Sequence, residues 1–190
     1  MAASDPDHPA LDEAFWQRAA EQMSSERSPE FIEIGDLERL SDLAREWLQS
    51  LARRLPDQPS GASTERLKVI ALAQGAALHF LDRRHGVKDF DLWAFFEEVE
   101  GEPRFPHRMV WHVDFGPSRF GANPTDESRG YRGRRIDVMG RTIPFGPEND
   151  EAGAIRSWLL SGAASARHLA QRPLIAIFPH SRLGQIIWPA

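Results

Sequence analysis

The sequence contains no cysteine and a single tyrosine among its 190 residues. Without cysteine the chain forms neither disulfides nor thiolate zinc sites and has no thiol nucleophile, which fits a reducing compartment. No segment approaches the roughly 20 consecutive apolar residues that span a bilayer, and the acidic N-terminus lacks the basic flank and apolar region of a signal peptide. We therefore expect a cytoplasmic protein without a membrane partner.

Lysine is also scarce: Lys68 and Lys88 are the only two, so arginine supplies almost all of the positive charge. The formal net charge of -5 argues against a surface built wholly for nucleic acid, although local basic patches could still bind it. The hydrophobic fraction of 41% is ordinary for a globular protein. We expect residues 1–63 to form a loose tail and a helical N-terminal extension, and residues 64–190 to form one domain.

The spacing of apolar residues predicts both helices and strands along the chain. The predicted helices cover residues 11–23, 37–54, 75–86 and 151–170, with Asp36 as the N-cap of the second. The predicted strands or extended segments cover residues 67–73, 90–96, 109–115, 134–141, 174–178 and 185–188. This order predicts an α+β or α/β-like fold with a mixed central sheet, a helical N-terminal preface and a C-terminal helix with short strands.

Three carboxylates belong to two of the predicted strands. Asp89 and Asp91 are two residues apart, so both side chains project from one face of the strand, while Phe90 points the other way into the core. Asp137 lies in a second apolar strand, where an unpaired carboxylate is costly. A shared divalent metal ion would supply the missing partner, because hard cations bind several carboxylate oxygens.

A glycine turn precedes these acids, and the ordered set resembles the nucleotidyltransferase superfamily, which includes the polymerase-beta-like enzymes and their minimal bacterial relatives. In that family a strand leads into a Gly-Ser or Gly-Gly turn that opens a helix, the next strand carries Asp-x-Asp, and a later strand carries a third acid. Gly75-Ala76 is similar to the turn, Asp89-Phe90-Asp91 to the acidic pair and Asp137 to the third acid. The resemblance covers roughly residues 66–141.

The resemblance implies a nucleotidyltransferase-like core and a metal-dependent transfer of a nucleotidyl group. Asp89 and Asp91 would bind Mg²⁺ (or Mn²⁺) together with a nucleoside triphosphate. Asp137 would complete the metal site and act in catalysis by helping to activate a hydroxyl of the acceptor, whether a protein, a small molecule or RNA. Gly75 would let the backbone approach the phosphates.

Ala76 departs from the family pattern, because the family commonly places Ser or a second Gly there. The departure removes a hydroxyl that could contact a phosphate, and it supports an alternative function. In that alternative the chain is a non-catalytic binding or regulatory protein with the same fold, for example one half of a toxin-antitoxin-like pair. A third possibility is an interaction module in which acids and arginines form an ion-pair network.

The segment from Arg104 to Arg141 is locally basic, with eight arginines against four acidic residues. Guanidinium groups beside a carboxylate site suit an enzyme that handles phosphates. Residues 116–133 predict a long loop, in which Arg119 and Arg129 are the best candidates for phosphate contact and Arg132 follows. The competing interpretation is that these arginines only solvate the surface.

Two further groups of residues allow more than one interpretation. His112 and Asp114 have strand spacing and could form part of a metal site, but no third ligand has convincing spacing. An aromatic cluster could stack a nucleic-acid base, although core packing is the favoured interpretation. Its members are Trp93, Phe95, Phe96 and Trp111.

Overall fold

The computed structural model describes residues 26–106, 110–146 and 150–189. The predicted tail and the predicted helix at 11–23 lie outside the described residues, as do His107 and Arg108. The described chain folds into helices and one six-stranded mixed sheet, which confirms the predicted α+β class. No helix in these three ranges is long and apolar enough to cross a membrane.

Helices and strands alternate irregularly along the chain. The helices are α1 (Ile34–Arg54), α2 (Pro59–Ala62), α3 (Gln74–Asp82), α4 (Pro124–Glu127), α5 (Glu151–Leu159) and α6 (Ala164–Leu169). The strands are β1 (Leu67–Ala73), β2 (Phe90–Glu97), β3 (Val110–Asp114), β4 (Arg135–Ile143), β5 (Leu174–Phe178) and β6 (Ile186–Trp188). Short 3₁₀ turns cover Ser63–Arg66 and His180–Arg182.

The strands lie in the order β3-β4-β2-β1-β5-β6. Strands β2 and β4 run parallel, and the other neighbouring pairs are antiparallel. Strand β2 lies inside the sheet, is covered on both faces and reads as a nearly continuous apolar run. Strand β4 instead alternates between buried and partly buried residues. This topology sets β1, β2 and β4 side by side, and these are the strands around which the predicted site residues lie.

Helix α1 starts earlier than its apolar spacing predicted, and its N-cap is Glu33 rather than Asp36. Asp36 is the third residue of the helix, and its carboxylate accepts a hydrogen bond of 2.7 Å from the Glu33 N–H. The Glu33 side chain in turn accepts from the Asp36 backbone, which completes a capping box. The prediction that Asp36 is the cap was therefore wrong, but this residue still helps to start the helix.

Two other helices end before the predicted residue. Helix α3 ends at Asp82, because Arg83 adopts the left-handed conformation with φ 58°. The predicted helix at 151–170 is interrupted after Leu159, and Gly162 has φ 78° between the two halves. The apolar spacing continues across this break because both α5 and α6 pack on the same face of the sheet.

The sheet has an apolar core on each face. One core contains α1, whose buried residues include Leu37, Leu40 and Leu48, together with Phe90 of β2. The other contains α5 and α6 packed against Trp93 and other residues of β1, β2 and β5. Each fully buried leucine or phenylalanine contributes roughly 1.5–3 kcal/mol relative to exposure. The two helical layers fix the positions of the strand ends from which the candidate site is built.

Candidate functional site

Three neighbouring strands bring the predicted turn and the predicted acids together. Ala73, the last residue of β1, pairs with Asp91 on β2, and Asp91 pairs with Asp137 on β4. Paired residues on adjacent strands lie about 4.5–5.5 Å apart at their Cα atoms. The turn Gln74-Gly75 therefore begins directly beside the acids, as the order of the motif predicted.

A cavity of about 300 Å³ opens at this end of the three strands. Gly75, Ala76, Asp89 and Asp91 line it, and its positive side chains come from elsewhere in the chain. The remaining lining residues are Arg27, Gln74, Lys88, Trp93, Met139, His168 and Arg172. The cavity thus holds two of the three predicted acids beside the glycine turn, surrounded by several cations.

Asp91 is the most perturbed acid of the cavity. Burial raises its pKa to about 7, and the neighbouring charges of Asp89 and Asp137 act in the same direction. In the described part of the chain, no donor makes a hydrogen bond to its carboxylate. The pKa of Asp89 is also raised, first by burial and then by Asp137. The acids therefore repel one another at neutral pH, and a divalent cation would relieve that repulsion.

Arg135 already supplies a positive charge to part of this acidic group. Its guanidinium donates to Asp137 through Nε at 2.7 Å and through Nη2 at 3.1 Å, which is a bidentate pair. It also donates to Asp126 at 3.0 Å and to Asp89 at 3.3 Å. Asp137 is therefore held by an arginine, whereas Asp91 faces the cavity without such a partner.

His112 and Asp114 do not form a metal pair with each other. The His112 Nδ1 atom lies 2.7 Å from a carboxylate oxygen of Asp137. Asp114 instead accepts backbone N–H groups from Gly116, Arg132 and Gly133, at 2.9 to 3.0 Å. Although burial alone would raise it, these donors hold the pKa of Asp114 below its usual value. Asp114 therefore orders the loop that precedes β4.

The turn between β1 and α3 carries backbone strain. Gln74 has φ 56°, a left-handed conformation that residues other than glycine rarely adopt. Such residues cost about 1–3 kcal/mol each and are often found at functional sites. A Cβ atom on Gly75 would lie 3.4 Å from a guanidinium nitrogen of Arg27 and 3.6 Å from one of Arg172. The two arginines thus approach the backbone where α3 begins.

The loop arginines that were predicted to contact phosphates lie elsewhere. Arg119 forms an ion pair with Asp36, donates to the Phe31 carbonyl at 2.8 Å, and stacks on Phe120. It therefore ties the loop to the start of α1. Arg129 is exposed after α4. The described residues that line the cavity include neither of these arginines.

The basic side chains that do reach the cavity were not predicted from the sequence. Lys88 directly precedes the acidic pair, which was the one available signal for it. Arg27, His168 and Arg172 lie far from the motif along the chain, and no spacing rule connects them with it. Only the docking of α6 and of the segment before α1 brings them to the turn.

The predicted aromatic cluster belongs mainly to the core. Phe95 and Phe96 are fully buried, and Trp93 is nearly so. Trp111 is partly buried and packs on Trp47, with ring centroids 5.0 Å apart. The favoured interpretation of core packing is therefore confirmed, although one edge of Trp93 also lines the cavity.

The donor set of the cavity fits a magnesium ion that is shared with phosphates. Among the described residues, no three acidic or histidine side chains are arranged to hold a metal ion by themselves. Mg²⁺ is usually held by one or two carboxylates together with phosphate oxygens and waters. Asp89 and Asp91 would supply those carboxylates, so the site suits a metal that arrives with its phosphate ligand.

Comparisons with protein-family models, with curated proteins and with solved structures found no match for this chain.

Proposed function

We propose that the chain is a metal-dependent nucleotidyltransferase that moves a nucleotidyl group from a nucleoside triphosphate to an acceptor hydroxyl. One observation carries the proposal. Asp91 is a partly buried carboxylate that lacks a hydrogen-bond donor among the described residues, and it opens beside Asp89 into a cavity formed by a glycine turn and arginines. Its raised pKa is the expected property of a group that is completed by a cation.

The residues of the cavity divide into two sets. Asp89 and Asp91 would hold Mg²⁺ or Mn²⁺, which neutralises charge on the attacking and leaving oxygens. The Gly75 backbone at the N-terminus of α3 would donate N–H groups to phosphate oxygens, with Arg27 and Arg172 beside them. The volume of about 300 Å³ suits phosphates and a metal, so the base and ribose would lie at the open mouth.

Asp137 has the least direct role. Arg135 holds it by a bidentate pair of hydrogen bonds and also contacts Asp89. We propose that it becomes the third acid of the reaction when Arg135 moves toward Asp126, which it already contacts. Asp137 would then accept a proton from the acceptor hydroxyl.

A second candidate function is non-catalytic binding of a nucleotide or a partner by the same cavity, as in a regulatory or toxin-antitoxin-like pair. The specific observation in its favour is that Arg135 forms ion pairs with both Asp89 and Asp137. Ala76 supports it as well, since it has no hydroxyl. An acid that is permanently held by arginine cannot serve as a general base.

Binding and turnover separate these functions. The melting temperature of the wild-type protein is measured with Mg²⁺ and each of the four common nucleoside triphosphates. Release of pyrophosphate is measured in parallel. If the chain transfers nucleotidyl groups, at least one triphosphate should raise its melting temperature, and pyrophosphate should be released only with the metal. Asp91→Asn should lose both the thermal shift and the pyrophosphate release. The matched control Asp42→Asn changes an exposed acid on α1 and should retain both.

Each of the other outcomes has a defined meaning. A thermal shift without pyrophosphate release supports the binding function, provided that candidate acceptors of protein, small-molecule and RNA type are all supplied. If no triphosphate changes the melting temperature, or if the change is equal in Asp91→Asn, this cavity is not the triphosphate site.

A further inference from the structure

A second cavity of about 300 Å³ lies on the face of the sheet that α5 and α6 cover. Its polar wall contains Arg104, Arg141, Thr142 and Ser165, and Trp158 forms an aromatic wall. Among the described residues, no acidic side chain lines it. The cavity therefore contains two guanidinium groups without a carboxylate in its lining.

Arg141 is the unusual member of this lining. Its Nε atom is buried and has no hydrogen-bond partner in the described structure, and burial lowers the pKa of its guanidinium. Its only compensation among the described contacts comes from two indole rings. The guanidinium carbon lies 5.6 Å from the Trp93 ring centroid and 5.9 Å from that of Trp158.

Cation-π contacts do not fully offset the loss of hydration. Arg141 is partly buried, and its two cation-π pairs return only part of the hydration energy that burial removes. An anion in the cavity would accept from the terminal N–H groups of Arg141 and balance the charge. Arg104 adds a second guanidinium at the exposed side, where its present partner is Glu98.

The chemistry of the lining identifies the class of anion. A guanidinium presents two parallel N–H groups that match two phosphate oxygens, and two guanidinium groups match the double charge of a phosphate monoester. The volume is at the lower limit for ligand sites and excludes large ligands. We infer that this second cavity binds the phosphate group of a small phosphorylated ligand, with Arg141 as the main contact and Arg104 as an auxiliary contact.

Arg141 of the second cavity lies four residues beyond Asp137 on β4. Asp137, Met139 and Arg141 alternate along β4 and share one face, and four residues of strand span roughly 13 Å. Trp93 lines the first cavity and also contacts Arg141. Phosphate binding at Arg141 does not depend on the proposed function.

The Nε–H group of Arg141 provides a direct probe, because a buried N–H exchanges slowly with water and gives a resolved NMR signal. The full-length protein is titrated with inorganic phosphate, and with acetate and sodium chloride at equal ionic strength. The signal is assigned by its loss in Arg141→Lys. We expect phosphate to shift this signal saturably, and acetate and chloride to leave it nearly unchanged.

Two variants locate the bound phosphate. Arg104→Gln changes an exposed side chain and should weaken phosphate binding at least threefold, whereas Arg167→Gln on the exposed side of α6 should not. Arg172→Gln removes a cation from the first cavity and should leave the Arg141 response intact. An Arg141 signal that does not move, moves equally with acetate or chloride, or stops responding in Arg172→Gln overturns the inference. An unchanged affinity in Arg104→Gln overturns the auxiliary contact.

Discussion

The carboxyl group of Asp91 gives the protein an unusual dependence on pH. Its pKa is about 7 in the folded protein against 3.8 for the free group, because of burial and of two neighbouring acids. The folded state therefore binds more protons than the unfolded state between these values. The free energy of unfolding falls as pH rises from about 4 to 7, by at most about 4 kcal/mol.

We expect Asp91→Asn to be more stable than the wild type at pH 7.5 and to differ little from it at pH 4. Urea denaturation at both pH values measures the difference. Addition of Mg²⁺ with a nucleoside triphosphate at pH 7.5 should stabilise the wild type and not the variant. Parallel stability curves for the two proteins across this pH range would contradict the raised pKa.

Arg135 is the second residue whose removal should have a large effect. It neutralises Asp89, Asp126 and Asp137, and its loss would leave these three acids without the arginine that they share. We expect Arg135→Gln to lower the free energy of unfolding at pH 7.5 by roughly 3 kcal/mol, because breaking a buried ion pair leaves uncompensated charges.

The destabilisation in Arg135→Gln should be smaller at pH 4, because Asp89, whose pKa is raised, binds a proton more readily there. Thermal or urea denaturation can follow it. Arg132→Gln is the matched control, since Arg132 is exposed and lies three positions before Arg135 in the chain. Equal stability of the two variants would show that the arginine contributes nothing to the acidic group.

At the level of elements, the turn from β1 into α3 combines strain with function. Gln74 adopts φ 56°, so replacing it with glycine should remove about 1 kcal/mol of strain. We expect Gln74→Gly to raise the midpoint of urea denaturation, while Gln74→Ala, which keeps the Cβ atom, should not. The same midpoint in both variants would indicate that the side chain, and not the backbone, determines stability at this turn.

The start of α1 depends on one acid that serves two elements. Asp36 accepts the Glu33 N–H and also pairs with Arg119 of the loop. We expect Asp36→Ala to cost about 1–2 kcal/mol, as for the loss of a helix cap. Urea denaturation measures the loss in the free energy of unfolding. Asp42→Ala on the same helix should lower that free energy much less, because Asp42 is exposed and its ion pair spans 3.8 Å. Similar losses in both would refute the capping role.

At the level of the whole molecule, local patterns predicted the strands well and the long-range contacts poorly. The run 67–73 was predicted to its exact bounds as β1, because seven apolar or amphipathic residues lie between a polar segment and a glycine turn. Because successive side chains of a strand point to opposite faces, the sequence also predicted Phe90 in the core and Asp91 on the other face, as the structure has them.

Other features depend on contacts that no local pattern reveals. The break between α5 and α6 lies within continuous helical spacing, and only Gly162 signals it. Arg27 and Arg172 reach the cavity through the docking of distant segments. The role of Arg135 depends on Asp126, which entered the sequence interpretation only as a loop charge. Charge pairing across the fold therefore had to be read from the structure.

The central claim is that Asp89 and Asp91 hold a divalent metal together with a triphosphate, and binding of Mn²⁺ tests it most directly. Electron paramagnetic resonance measures free Mn²⁺ at pH 8 with and without a non-hydrolysable nucleoside triphosphate. We predict that the wild type binds Mn²⁺ with the triphosphate at least tenfold more tightly than Asp91→Asn does, and that Asp42→Asn behaves like the wild type. Equal binding by the wild type and Asp91→Asn would contradict the claim.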